Sequence, residues 1–154
     1  MKPFRKYELY CKPSKVGEGR YEEACEKSKF STPEDVYEAA KMLGLHVSPR
    51  EKTVAFYIDT RGHLLGAVEV SSGGIDSATV DPKVIFAPAL AIGKTAAIIF
   101  CHNHPSGDLT PSQEDKDLTN RIKKAGEILG IKLIDHVIVG ENGYMSFKER
   151  SICF

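Results

Sequence analysis

The sequence predicts a single α/β domain in which a mixed central β-sheet is flanked by helices, and three observations carry that prediction. Segments of extended, β-rich character alternate with segments whose apolar residues recur at helical spacing. Two continuous apolar runs, residues 96–101 and 131–139, have the length and composition of strands covered on both faces. The chain of 154 residues, 42% hydrophobic and 27% charged, has the size and balance of one globular core.

The elements follow in order. Residues 7–11 have the pattern of a short strand, and residues 12–31 are polar without a clear period. Residues 1–31 are thus set apart as an N-terminal extension to a domain spanning 32–154. Thr32 is suited to cap a first helix, Pro33 to occupy its first position, and Glu34 and Asp35 to face the positive end of its dipole. Val36, Ala39, Ala40 and Leu43 supply its apolar stripe, and Gly44 its end. A hairpin comes next: residues 53–58 and 63–70 are extended, joined by the turn Asp59-Thr60-Arg61-Gly62. Residues 71–76 form a loop with two glycines. Asp81-Pro82 opens a second helix to about residue 92, weakened in its middle by Pro88. The run 96–101 is a strand, and residues 102–111 a loop. A third helix is capped by Ser112, striped by Leu118, Ile122, Ala125 and Leu129, and ended by Gly130. The strand 131–139 and a short strand 144–147, separated by Glu141-Asn142-Gly143, complete the domain.

Charge and cysteine usage exclude several functions. The 21 basic and 21 acidic side chains cancel, which argues against a surface that binds nucleic acid on its own, because such binding rests on neutralising phosphates. Lys2, Arg5, Lys6, Lys12 and Lys15 stand against only Glu8 near the start, the pattern of a solvated terminus. Tyr7, Tyr10 and Tyr57 lack the interleaved basic residues of a base-stacking platform. The cysteines Cys11, Cys25, Cys101 and Cys153 form no CxxC pair, Met1 is not followed by a signal-peptide pattern, and no apolar stretch approaches the roughly 18 residues of a membrane span. A reduced, cytoplasmic protein without a membrane partner is the expectation.

The chemistry lies in residues 102–115. His102 and His104 are two apart on extended chain, so their imidazoles project to one side. Cys101, adjacent to them, then points to the opposite face. Pro105, Gly107 and Pro111 punctuate the loop, and Asp115 occupies the third position of the helix that Ser112 caps. An acid there faces back along the incoming chain and is able to supply an oxygen to an ion held by the histidines. Two histidines and a carboxylate leave a fourth position for water, the pattern of a catalytic zinc (Zn2+). The competing reading is that the histidines make ordinary loop hydrogen bonds and Ser112 and Asp115 form only a capping box.

His102-x-His104-Pro105-x-Gly107 followed by Pro111-Ser112-x-x-Asp115 resembles the JAMM motif of the JAB1/MPN+ metallopeptidase superfamily. Pro49-Arg50-Glu51, Val80-Asp81-Pro82 and Leu133-Ile134-Asp135-His136-Val137-Ile138-Val139 make the chain similar to a RadC-type JAB domain over roughly residues 32–147. The resemblance implies a JAB1/MPN, cytidine-deaminase-like architecture and a zinc hydrolase that cleaves an amide or isopeptide bond of a peptide or protein substrate. It implies Glu51 as the general acid/base on the attacking water and Ser112 as donor to the developing oxyanion; Glu69, on the neighbouring strand near the glycine loop, is the reserve candidate for the acid/base. Two other functions stand beside it. Relatives without the metal ligands serve as protein-interaction scaffolds, and the family name points to a DNA-repair accessory. RadC proteins usually carry a helix-hairpin-helix segment ahead of this domain, which residues 1–50 do not match, so autonomous nucleic-acid binding is not expected. A zinc deaminase would need a P-C-x-x-C pair, which is missing.

Asp108 reads as a turn residue rather than a ligand. Asp135 and His136 suit either a supporting shell for the site or a structural polar pair. His46 and His63 are expected at the surface. The loops 71–76 and 12–31 are expected to set specificity, and neither substrate nor oligomeric state is legible.

Overall fold

The computed structural model describes residues 29–72 and 80–154. The strand expected at 7–11, Tyr7, Tyr10, Cys11, Cys25, the basic stretch and most of the glycine loop lie outside these residues. The order is α1 (Pro33–Met42), a 3-10 turn (Leu45–Val47), β1 (Lys52–Ile58), β2 (Leu64–Ser72), α2 (Pro82–Ile92), β3 (Ala97–Asn103), α3 (Gln113–Leu129), β4 (Lys132–Gly140) and β5 (Gly143–Ser146). The strands form a mixed sheet ordered β2-β1-β3-β4-β5, in which only β3 and β4 are parallel. The α/β class with helices on a mixed sheet is therefore the observed one.

Local signals start the helices as expected. Thr32 accepts the Asp35 N–H while the Asp35 carboxylate accepts from the Thr32 N–H at 2.7 Å, a reciprocal cap. Asp81 caps α2 through the Lys83 N–H at 2.9 Å. Pro88 does not break α2, because Ile85, Phe86 and Ala89 bury its inner face against the sheet. Burial of each large side chain is worth about 1.5–3 kcal/mol and outweighs the local preference.

The sheet is covered on both sides. Val36, Tyr37, Ala39 and Ala40 of α1 pack on Val54, Phe56, Ile58, Ile99, Cys101, Val137 and Val139. Ile85, Phe86 and Ala89 of α2 and Leu118 and Ile122 of α3 pack on Ala55, Tyr57, Ile98, Phe100 and Leu133. The alternation along β3 puts Ile98 and Phe100 on the α3 side and Ile99 and Cys101 on the α1 side, following the two-residue period of a strand.

Two departures from the sequence reading shape the site. Strand β3 does not stop at Cys101 but continues through His102 and Asn103. It does so because both its neighbours keep pairing there: Thr53 lies opposite His102, and Ile138 and Val139 opposite His102 and Asn103. Strand β4 carries an irregularity. Ile98 pairs with Leu133 but Ile99 pairs with Asp135, leaving Ile134 as an extra residue. Such a bulge reverses which face the following side chains take. It brings His136 onto the α3 side beside Phe100, their ring centroids 5.0 Å apart.

Candidate metal centre

Three neighbouring elements converge on the α3 side of the sheet. Strand β3 carries His102 next to its last residue and His104 directly follows its end, the chain before β1 carries Glu51, and the first turn of α3 carries Asp115. Potential ligand atoms of Glu51, His102, His104 and Asp115 all lie within 4.8 Å of one another. His102 is fully buried and Asp115 nearly so, whereas Glu51 and His104 are half-buried at the rim.

Each side chain is aimed by a specific contact. The Ser112 hydroxyl accepts the Asp115 N–H at 3.0 Å, and Asp115 Oδ2 accepts the Ser112 N–H at 2.8 Å. That capping box turns Asp115 Oδ1 to within 3.3 Å of His102 Nε2 and Oδ2 to 3.6 Å from His104 Nε2. The capping box and a carboxylate facing the histidines coexist in one residue. The His104 Nδ1–H donates to the carbonyl of Asp108, which directs its Nε2 inward. Asp108 thus contributes its backbone; its exposed carboxylate accepts from the Thr110 N–H at 2.8 Å.

His102 Nε2 and His104 Nε2 approach to 2.9 Å. At that distance either one ring donates its N–H to the other or both lone pairs face a shared cation. Tetrahedral zinc with bonds of about 2.0–2.1 Å separates its ligands by about 3.3 Å. The observed separations of 2.9, 3.3 and 3.6 Å straddle that value. The donor set therefore fits a divalent ion with two nitrogen ligands and one carboxylate.

Electrostatics are consistent with the crowding. Burial pulls the His102 imidazole down to about 4, against the attraction of Asp115. Burial would raise Asp115, but His104, the charge of His102 and the Ser112 contacts prevail and hold its carboxyl well below the usual carboxylate range. The Asp115 carboxylate raises His104 in turn. Cys101 is buried on the α1 side, where desolvation pushes its thiol well up. It is a core residue, on the face opposite His102.

The other candidates separate cleanly. Glu69 pairs with Lys52 at 3.3 Å, is exposed, and lies opposite Val54, whose side chain faces α1. It is not part of the cluster. Asp135 accepts from the His136 N–H at 2.7 Å, the Ser146 hydroxyl at 2.6 Å and the Lys148 N–H at 3.1 Å, and so braces the β4–β5 corner. His136 parts company with it: its Nε2 lies 2.7 Å from His102 Nδ1 and its Nδ1 2.6 Å from Thr119 Oγ1. His63 is exposed and pairs with Asp59. His46 departs from the surface expectation: it is half-buried, its Nδ1 has no partner among the described residues, and it lines a cleft of about 400 Å³ beside His104.

Asn103, between the two histidines, was not singled out by the sequence reading. Its side chain, on the α1 side, accepts the Lys52 N–H at 2.7 Å and donates to the carbonyls of Ser48 and Arg50 at 3.2 Å. It fixes the segment that carries Glu51. Thr119 was likewise missed, since a threonine inside a helix gives no local signal of its partner.

A family model for the RadC-like JAB domain matches residues 30–152. The chain is 49% identical over 126 residues to a "UPF0758 protein" of Carboxydothermus hydrogenoformans, covering 82% of this chain and 55% of that one. It is 41% identical over 124 residues to one of Syntrophotalea carbinolica, covering 80% and 54%. It is 40% identical over 126 residues to one of Clostridium perfringens, again covering 80% and 54%. The chain spans about half the length of the curated relatives it matches. Among the described residues, no helix is long and apolar enough to cross a membrane.

Proposed function

This chain belongs to the RadC-like JAB domain family, and from that membership and its four clustered side chains we propose that it is a zinc-dependent hydrolase of amide or isopeptide bonds in a peptide or protein. The observation that carries the reading is the cluster of Glu51, His102, His104 and Asp115 at one end of the sheet, bordered by an open cleft. In this reading His102, His104 and Asp115 hold the ion. Bound zinc supplies Lewis acidity toward a carbonyl and makes hydroxide available near neutral pH. Glu51, half-buried like His104 at the rim of the cluster, takes the proton of the attacking water and hands it to the leaving amine. Ser112, whose hydroxyl oxygen already accepts the Asp115 N–H, is exposed enough to turn its proton toward the oxyanion as it develops.

The test loads the purified chain with zinc, measures stoichiometry by atomic emission, and follows new peptide termini by mass spectrometry in a proteome-derived peptide library. Wild type is expected to hold one zinc per chain and to generate new termini. His104→Ala is expected to lose most of the metal. Glu51→Gln is expected to keep it and to lose cleavage. A chain that takes up no zinc would favour a protein-interaction scaffold, and undiminished cleavage by Glu51→Gln would remove that residue from the mechanism.

A further inference from the structure

We propose that Thr119 and His136 are positioning residues that lock His102 in one tautomer, leaving its Nε2 lone pair aimed at the cluster before any metal arrives. The proposal rests on the metal-centre reading above and adds two residues to it. It follows from counting protons along one buried chain of contacts. Thr119 Oγ1 lies 2.6 Å from the carbonyl oxygen of Asp115, and two oxygens so close require a proton between them. A carbonyl has none to give, so the single hydroxyl proton of Thr119 is committed to it. The same Oγ1 lies 2.6 Å from His136 Nδ1 and is left only to accept, so Nδ1 carries hydrogen.

His136 has no exposed surface. It stacks on Phe147 at 4.4 Å and meets the edge of Phe100 at 5.0 Å. Those aromatic neighbours do not compensate a full imidazolium charge in such a place, so the ring is neutral and its Nε2 bears a lone pair. That lone pair is 2.7 Å from His102 Nδ1, which must therefore donate. His102, also without exposed surface, is then left with a lone pair on Nε2, 2.9 Å from His104 Nε2 and 3.3 Å from Asp115 Oδ1. The chain begins at the backbone carbonyl of Asp115 and ends at the carboxylate of the same residue. Were the polarity reversed, His102 would present Nε2–H to the cluster and would not ligate.

The arrangement depends on the extra residue Ile134 in β4, because the bulge puts His136 on the His102 side. It also depends on α3 running far enough past Asp115 for Thr119 to reach back one turn.

Long-range nitrogen–proton correlation NMR on the full, metal-free chain at pH 7.5 reads histidine tautomers directly. Both His102 and His136 are expected as the Nδ1–H form. Thr119→Val, nearly isosteric, is expected to release His136 from that form, to shift His102 toward Nε2–H, and to weaken zinc binding about 10–100-fold in a chelator competition. Thr119→Ser is expected to restore both readouts. A wild-type spectrum with His102 as Nε2–H would overturn the proposal, as would weakened zinc binding in Thr119→Val with both tautomers unchanged. The wild-type spectrum needs neither a variant nor metal, so it decides the tautomer even if the chain binds no zinc, an outcome that would sink the hydrolase reading alone.

Discussion

The side-chain oxygen of Asn103 accepts the backbone N–H of Lys52 at 2.7 Å across 51 residues of sequence. Through it, the end of the strand that carries His102 grips the residue next to Glu51. The amide nitrogen of Asn103 extends that grip to the carbonyls of Ser48 and Arg50. Three bonds from one buried side chain thus fix the distance between a general acid/base candidate and the imidazoles.

Removing that side chain should separate positioning from ligation. Asn103→Ala leaves one N–H and two carbonyls to find new partners and is expected to destabilise the fold by about 1–3 kcal/mol. Metal stoichiometry should stay near wild type, while turnover falls about 100-fold through misplacement of Glu51. Urea denaturation, atomic emission and single-turnover rates measure the three; turnover at the wild-type level would show that Glu51 needs no such anchor.

Cys101 supplies a control within the same strand. It is adjacent to His102 but faces the α1 core. Cys101→Ala should cost about 1 kcal/mol in stability by leaving a small void, with zinc content unchanged. Loss of metal in this variant would mean that the two-residue period fails at the end of β3.

The buried imidazoles set a pH dependence in the metal-free chain. His102 is held at about 4 in the folded state, and His136 is also well below its ordinary value, both because burial disfavours charge. Between the unfolded value of about 6.5 and the folded value, the unfolded chain binds more protons, so stability rises with pH. It is fully present above about 6.5 and is lost as pH falls through the folded value. His104, raised by Asp115, works in the opposite sense, being stabilising below about 6.5 and losing that contribution as pH rises through its folded value. The two fully buried rings dominate. The full contribution of His102 is about 3 kcal/mol. Urea midpoints measured with a chelator present should therefore drop steadily from pH 7 to pH 4.5, and a flat profile would contradict the burial of neutral rings.

Gly126 tests the seat of α3 against the sheet. A Cβ there would stand 2.3 Å from the carbonyl oxygen of Ile131, whose N–H in turn donates to the Gly126 carbonyl at 2.9 Å. Glycine to alanine inside a helix ordinarily stabilises by about 1 kcal/mol. Here Gly126→Ala is expected to destabilise by about 2 kcal/mol or more, because backbone must move. A rise in the thermal midpoint would show that the helix end yields freely.

The legible part of this protein was local. The HxH spacing, the Ser112–Asp115 capping box, the helix starts at Thr32 and Asp81 and the two doubly buried strands each depend on residues a few positions apart. Their geometry follows from the two-residue period of a strand and the unsatisfied N–H groups of a helix start. The motif resemblance carried the family from the same residues.

What only the tertiary structure decided lies in pairings between distant segments. The length of β3 was hidden because His102 and Asn103 are polar; their strand conformation comes from β1 and β4 on either side. The face taken by His136 was hidden because one unpaired residue, Ile134, inverts the alternation, and nothing in the apolar run 131–139 marks where the ladder slips. The separation of Glu69 from the cluster was hidden in register: Glu69 lies opposite Val54 and faces away, whereas Glu51 lies beside His102, His104 and Asp115. Sequence fixes such features only through the energy of the whole sheet. A strand's faces are set by its own pattern until a neighbour changes the register, and that change costs or gains free energy in contacts that no short segment contains.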